Sequence, residues 1–473
     1  MELGSSFGPK LKLTTRLREI LAIYPAGVSV LRELLQNADD AGAATLALCL
    51  DKREFATDSL AFPGLAPFQG PALLAYNDAV FSDADFESIQ RVGDSGKASL
   101  RTKTGRFGIG FCAVYHLTEV PSFVSRSKLV YFDPSLRSLP RVSAADPGTA
   151  IDMTDPGVAD ALSSHASQFA PYALPAGALA PGQADYDPLA GSNFDGTLFR
   201  LPLRTEDQAA VSELSKEAFT SDDILQLFDD FAHDAHNMLL FLKHVACVNL
   251  LVWEAGASAP SLLVSLTAAT RSLPPELPLP RHPLTLLPPS ASPRSLLNQV
   301  VGSTPTAWIE ASAASTTVAY VLDVTVARSG SPDVTTSLLI LQGLTGGQPL
   351  ALATDETLIE FGFTFLPLVG LALPLHRGCL GRAFCTLPLP THTGLAFHIN
   401  GAFELSSNRR DIWHGLDLTG LGKTRADWNN ALITEGIPPL LSLGLALVSR
   451  PGLSAHRLLP ADLLPEPTSV HPP

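Results

Sequence analysis

The stretch "LRELLQNADDAGAATLALCL", residues 31–50, decides how the fold is read. It is a helix that stops at a glycine and runs into a strand. With Glu33 as origin and about 100° per residue, Asn37 falls at about 40° and Asp40 at about 340°. Leu31, Leu34, Leu35 and Ala38 lie on the opposite side. One face is therefore continuous and apolar, and the other stacks Glu33, Asn37 and Asp40. Gly42 suits a left-handed cap at the helix end. "ATLALCLD" then alternates as a half-buried strand does.

The polar face has two readings. A solvated helix face usually interleaves lysines with its acids, and this one has none. A neutral Asn between two carboxylates adds little solubility but is a good hard-oxygen ligand. Magnesium takes oxygen ligands, keeps several waters and is usually held together with substrate phosphates. Asn37 is the candidate ligand. Glu33, one turn away, is placed to orient or deprotonate an attacking water.

Working outward, residues 10–22 read as a short amphipathic helix. "GPALLAYND" (70–78) reads as a buried strand with a polar end. "SDADFESIQRVG" reads as a short helix capped by Ser82. A polar stretch, 94–104, leads to the glycine-rich turn "GRFGIGF" (105–111) and a helix, "FCAVYHLTE". "SFVSRSKLVYFDP" (122–134) and "GTLFRLPLR" (196–204) are strands, and 138–192 is expected to be a long irregular insertion between them. A long helix is expected over 220–245, then a strand, "VNLLVWE". Residues 271–295 are rich in proline and read as a loop. "TTVAYVLDVTVA" and "TTSLLILQ" read as paired strands. "GRAFCTLPLP" and "GLAFHINGAFEL" read as two more, before a last helix over 425–448. The expected domains are 1–215 and 216–450, followed by a disordered proline-rich tail, 451–473.

Composition narrows the function. A chain of 473 residues, 46% hydrophobic and 16% charged, is globular and long enough for more than one core. A net charge of -14 argues against a general nucleic-acid binder. Five scattered cysteines without a CxxC pair indicate neither a disulfide framework nor a zinc ribbon, which fits a reducing, cytoplasmic setting. "MELGSSFGPK" has no apolar signal-peptide core. The longest apolar runs, such as "TFLPLVGLALPL" (364–375), are short and broken by proline, so no membrane span is expected.

Gly105, Gly108 and Gly110 stand directly before a helix, where close backbone approach and free N–H groups suit phosphate oxygens. The order G-x-x-G-x-G is not the dinucleotide fingerprint. "RVGDSGKAS" is not a Walker A loop, because Arg91 occupies the place of its first glycine. There is no serine nucleophile elbow and no HExxH. His233, His236 and His244 read as core or surface histidines rather than a metal site.

Taken together and in this order, these segments resemble the GHKL superfamily of ATPases, and within it the sacsin/NO VEIN group. "ELLQNADDAGA" resembles the family's N-box, "TGRFGIGFCAVYHLTEVPSF" its glycine-rich box, and "FDGTLFRLPLR" its later Gly-Thr strand. "GRAFCTLPLP" and "GLAFHINGAFELSSNRRDIW" resemble the rest of a sacsin-type repeat unit. The resemblance implies an α+β fold: the GHKL ATP-binding sandwich with a mixed, largely antiparallel sheet, followed by a second α/β domain. It implies ATP and Mg2+ as ligands. Glu33 then matches the general base, Asn37 the magnesium ligand, and Asp40 a residue near the ribose and adenine. Gly105, Gly108 and Gly110 match the phosphate loop, and Thr197 a threonine near adenine. Residues 94–104 occupy the lid position, with Lys97 and Lys103 available to phosphate. Family members usually read adenine with an Asp in a D-x-G-x-G turn. Here "LLAYNDAVFS" offers Asn77 and Asp78 without the turn glycines. In the chaperone branch a basic side chain from the next domain reaches the terminal phosphate, and Arg409 and Arg410 in "SSNRRD" are the candidates.

The function implied is a slowly ATP-hydrolysing chaperone or co-chaperone. Its partners would be client proteins or chaperones of the 70-kDa heat-shock type, without membrane or nucleic acid, and an oligomer is compatible with it. The other reading is a non-enzymatic scaffold for chaperone or cytoskeletal partners, which the unusual Asn77 turn favours.

Overall fold

A computed structural model describes residues 12–23, 26–91, 110–273, 317–376, 378–406, 411–415, 418–449 and 453. The fold is α+β, and the chain divides into two compact units. The first takes the described residues up to 91, then 110–233 and 248–264. The second takes 234–247 and the described residues from 265 onward. The expected boundary near residue 215 falls inside the first unit, because the helix that follows it packs back beside the "LRELLQNADD" helix.

The first unit contains β1 (Thr45–Asp51), β2 (Ala72–Asn77), β3 (Ser122–Arg126), β4 (Lys128–Phe132), β5 (Gly148–Asp152), β6 (Phe194–Pro202) and β7 (Cys247–Trp253). Their order across the sheet is β7-β1-β2-β6-β3-β4-β5. From β1 to β5 every neighbouring pair is antiparallel. The helices α1 (Leu13–Ile23), α2 (Val28–Asp40), α3 (Asp83–Ser88) and α4 (Ser221–His233) complete it. On α2 the apolar face lies as the periodicity predicts: Val30, Leu31, Leu34, Leu35 and Ala38 are buried. Each large side chain there contributes about 1.5–3 kcal/mol of burial. The helix closes in a Schellman motif. Gly42 has φ +84, its N–H donates to Asp39 O, and Ala43 N–H donates to Ala38 O. Ser82 caps α3 in a reciprocal box with Asp85.

Three expectations change in this unit. The segment after the glycine-rich turn is a 3-10 helix, Gly110–His116, not an α-helix. The insertion is ordered. It adds β5 and short helices at Ala159–Ser164 and Ala166–Phe169, and buries Phe169, Tyr172, Leu174 and Tyr186 against the sheet. The long helix expected over 220–245 ends at His233, where the chain leaves the first unit, and a short helical turn follows at Ala235–Met238.

The second unit contains β8 (Ser261–Arg271), β9 (Thr317–Arg328), β10 (Val334–Leu344), β11 (Leu368–Pro374), β12 (Arg382–Cys385), β13 (Leu387–His392) and β14 (His398–Gly401). Their order is β13-β12-β14-β11-β10-β9-β8, and the β12–β14 pair is parallel. β8, which begins in the first unit, and β11 are strands that the sequence reading did not assign. The first residue of the expected proline-rich loop, Arg271, still belongs to β8, and all but the first three residues of that loop lie outside the described residues. The tail does too, apart from Leu453.

Helices α5 (Gly420–Ala431) and α6 (Ile437–Val448) are joined by a π-helical turn, Leu432–Gly436. Pro438 and Pro439 have no N–H to continue the ladder, which explains the wider turn before them. The whole run, Gly420–Val448, is long and apolar enough to cross a bilayer. Here it packs on β10 and β11, burying Leu440, Leu443 and Leu447 in the core of this unit.

A buried polar cluster marks the start of the second unit. Arg382 pairs with Asp234 at 2.5 Å, and its backbone N–H donates to His398 Nδ1 at 3.2 Å. That bond requires a neutral ring. Burial pushes His398 down to about 4; neighbouring His236 and Arg382 add to this and Asp234 opposes it. The unfolded chain therefore takes up a proton near pH 6.5 that the folded chain refuses until about pH 4. Stability from this group is complete above about pH 6.5 and falls by up to about 3 kcal/mol as the pH drops through that window. Urea denaturation at pH 7 and pH 4.5 is expected to show the loss, and His398→Gln to flatten that part of it. An unchanged slope in the variant refutes the assignment.

Candidate functional site

Two clusters form in the first unit, one on the polar face of α2 and one on β2, β3 and β6 that is tied to the segment after α2 through Asp78. In the first, the start of the 3-10 helix lies against the polar face of α2. A methyl group built on Gly110 would lie 2.3 Å from Glu33 Oε2 and 4.0 Å from Asn37 Oδ1. The backbone of Gly110 thus meets the tip of the Glu33 side chain, which a Cβ there would push aside. Glu33, Asn37 and Asp40 are each half-buried, neither lost in the core nor fully solvated. Asp39, which the face analysis left out, is buried together with Gln36.

The second cluster sits where β2 ends beside β6. The register pairs Asn77 with Thr197, and Thr197 with Ser125 on β3. Asn77 is buried, and its Oδ1 accepts from Ala79 N–H at 3.1 Å. Thr197 Oγ1 donates to Ala79 O at 2.8 Å and lies 3.1 Å from Ser125 Oγ. Ser125 Oγ in turn donates to Gly196 O at 2.6 Å and accepts from Phe81 N–H at 3.1 Å. Asp78 is exposed, and its Oδ1 accepts from Ala44 N–H at 2.8 Å and Thr45 N–H at 3.1 Å. It thereby fixes the segment that follows α2. Burial, with Asp78 and Asp195 behind it, pushes the Tyr76 phenol up to about 12, so it stays protonated. Ser125 was missed by the sequence reading. Only the β3–β6 register reveals it.

Arg204 is another residue beside these clusters that the sequence left unmarked. Its side chain is fully buried beneath the 3-10 helix. It donates to Tyr115 O at 2.6 Å and Thr118 O at 3.0 Å, reaches His116 O, and pairs with Glu119. The carbonyls that a helix end leaves without partners are thus collected by one guanidinium. Cys112 on the same 3-10 helix is buried, which pushes its thiol up to about 12 and leaves it inert.

Of the remaining candidates, Lys97, Lys103, Gly105, Gly108, Arg409 and Arg410 lie outside the described residues. Among the described residues no group of three or more His, Cys, Asp or Glu is arranged to hold a metal ion. A site built on one protein oxygen, from Asn37, does not need one.

Two comparisons bear on this arrangement. Residues 10–265 match the model of the Sacsin domain. The chain is 32% identical over 451 residues to human sacsin; the match covers 92% of this chain and 9% of sacsin, so the chain spans a small fraction of that relative's length. The matched region contains both clusters and Arg204, and on this evidence the chain belongs to the Sacsin domain family.

Proposed function

We propose that this chain binds Mg-ATP in its first unit, through a GHKL-type site, and hydrolyses it slowly as part of a sacsin-type chaperone or co-chaperone. The observation that carries the reading is the packing of Gly110 against the Glu33 carboxylate beside the Asn37 amide. A Cβ on Gly110 would lie 2.3 Å from the carboxylate oxygen and 4.0 Å from the amide oxygen, so glycine backbone, carboxylate and amide meet at one place. It fits phosphates and a hard cation. Asn37 Oδ1 would hold the magnesium, which when bound neutralises charge on phosphate oxygens. Glu33 orients the attacking water and takes its proton. The Asn77–Thr197 cluster lies at the far end of α2, roughly 10 Å along the helix from Glu33 by a rise of about 1.5 Å per residue. That separation suits a base at one end and phosphates at the other. Cytoplasmic quality control, with client proteins and 70-kDa heat-shock chaperones as partners, follows from the same reading.

Titrating labelled ATP with magnesium and with EDTA tests it. Affinity is expected to be higher with magnesium, and Asn37→Ala is expected to erase that difference while retaining the EDTA affinity. A difference that survives in the variant removes Asn37 as ligand.

One observation favours a second reading, a scaffold without nucleotide. Asn77 Oδ1 and Asp78 Oδ1 are both engaged by backbone N–H groups, although each oxygen keeps a second lone pair. Absence of ATP binding under both conditions would select the scaffold.

A further inference from the structure

Residues 211–213 tie together the supports of the 3-10 helix, and the nucleotide reading does not use them. That helix, Gly110–His116, packs against both α1 and α2. Its hydrogen bonds are poorer than those of an α-helix, so its position depends on what holds it. α2 meets its start through Glu33 and Gly110. Arg204, paired with Glu119, collects the carbonyls at its far end. α1 is the third support. Its Leu17, Ile20 and Leu21 are buried, and Arg16 lies near enough to Cys112 to act on the thiol.

α1 is held at its beginning by one carboxylate. Lys12 O accepts from Arg16 N–H at 3.2 Å, so the helix starts there. Glu213 Oε2 pairs with Lys12 Nζ at 2.5 Å and accepts from Thr14 Oγ1 at 3.0 Å. Thr14 is buried, and Glu213 is the acceptor that satisfies its hydroxyl. Glu213 Oε1 accepts from Arg137 Nη2 at 2.7 Å, while Arg137 Nη1 donates to Val211 O at 3.0 Å. Lys12 and Thr14 hold the Glu213 carboxyl below its usual range. A carboxylate at a helix start also suits the helix dipole. The preceding residue, Ser212, donates from Oγ to Glu119 Oε1 at 2.6 Å. Two adjacent side chains therefore reach the α1 support and the Arg204 support. An isolated exposed ion pair contributes little, but here donors from two segments converge on one carboxylate, and one of them is buried.

We infer that Glu213 is a positioning residue: by clasping α1 it fixes the 3-10 helix, and with it the Gly110 backbone that meets Glu33 and Asn37. Its effect on nucleotide rests on the Mg-ATP reading; its effect on the helix does not. Two measurements on the whole chain keep these apart. Amide hydrogen exchange over residues 110–116 needs no nucleotide, and Glu213→Gln is expected to speed it by about ten-fold. Equilibrium titration is expected to show the Mg-ATP Kd of Glu213→Gln raised by about five-fold at about 0.05 M NaCl. The ratio of variant to parent Kd should shrink toward one at about 0.5 M NaCl, because salt screens the clasp. A loss of packing alone would leave that ratio unmoved by salt. Lys12→Met, a milder change on the exposed side of the clasp, is expected to shift both readouts the same way and serves if Glu213→Gln does not fold. Unchanged exchange in the variants overturns the inference, whatever the nucleotide does. Faster exchange in a chain that binds no ATP upholds the clasp and removes the Mg-ATP reading instead. Faster exchange with an unchanged Kd, in a chain that does bind Mg-ATP, confines Glu213 to the fold and overturns its positioning role.

Discussion

Glu33→Ala is expected to lower ATP turnover by about 10²–10⁴-fold, the usual cost of losing a general base, with ATP affinity nearly unchanged. The prediction rests on the Mg-ATP reading and on the position of the carboxylate. Glu33 Oε2 lies where a Cβ on Gly110 would collide with it, beside Asn37 Oδ1, and the residue is only half-buried. A carboxylate that served only to pack Gly110 would instead show its loss as weaker binding and lower stability. Removing a base that acts in the transition state lowers kcat and kcat/KM together and leaves ground-state binding alone. Glu33→Gln keeps the shape and removes the basicity, so it should match the alanine variant in rate. Single-turnover phosphate release beside equilibrium ATP titration separates the cases. Turnover equal to that of the parent removes Glu33 from the chemistry, and joint collapse of binding and rate makes it structural.

The parts of this site that the sequence made legible are those governed by local periodicity. The α2 face, its glycine cap, β1 and the Ser82 box each follow from residues within a few positions of one another. The meeting of Gly110 with Glu33 is long-range, and helical spacing alone did not contain it. The motif order suggested it only through the family resemblance. The 3-10 form of Gly110–His116 could not be read locally either, since its end is capped by Arg204, far along the chain. Arg200 and Arg204 sat within an apolar strand pattern. Nothing in the pattern told a snorkelling arginine from a buried one, because the carbonyls they bind come from residues 68–70 and 115–118. The insertion looked irregular because prolines and glycines recur through its alanine-rich sequence, and its order comes from aromatic residues packed on the sheet. The break at Asp234 was hidden for a related reason. The helix pattern runs on, but Asp234 pairs with Arg382 in the second unit.

Arg204→Met is expected to destabilise the first unit by about 3–5 kcal/mol, the range for removing one partner of a buried ion pair. Methionine roughly replaces the apolar stem, so the loss isolates the guanidinium. That group is fully buried and serves five acceptors: the carbonyls of Tyr115, His116, Thr118 and Glu217 and the carboxylate of Glu119. Burial pulls the Arg204 pKa down, and Glu119 offsets the pull. Without the arginine, Glu119 keeps Ser212 Oγ at 2.6 Å as a donor but loses its countercharge. The backbone carbonyls lose a donor that water would have to replace inside the core. Arg204→Lys is expected to recover less than half of the loss, because an ammonium cannot reproduce the planar fork. Arg204→Met combined with Glu119→Gln is expected to be more stable than Arg204→Met alone, since it removes the stranded charge. Urea midpoints with an unchanged m-value measure all three. Because the 3-10 helix that Arg204 caps begins at Gly110, ATP binding is expected to weaken in Arg204→Met even under conditions where the chain is folded. An Arg204→Met variant within about 0.5 kcal/mol of the parent would mean that the arginine caps nothing that matters to the fold.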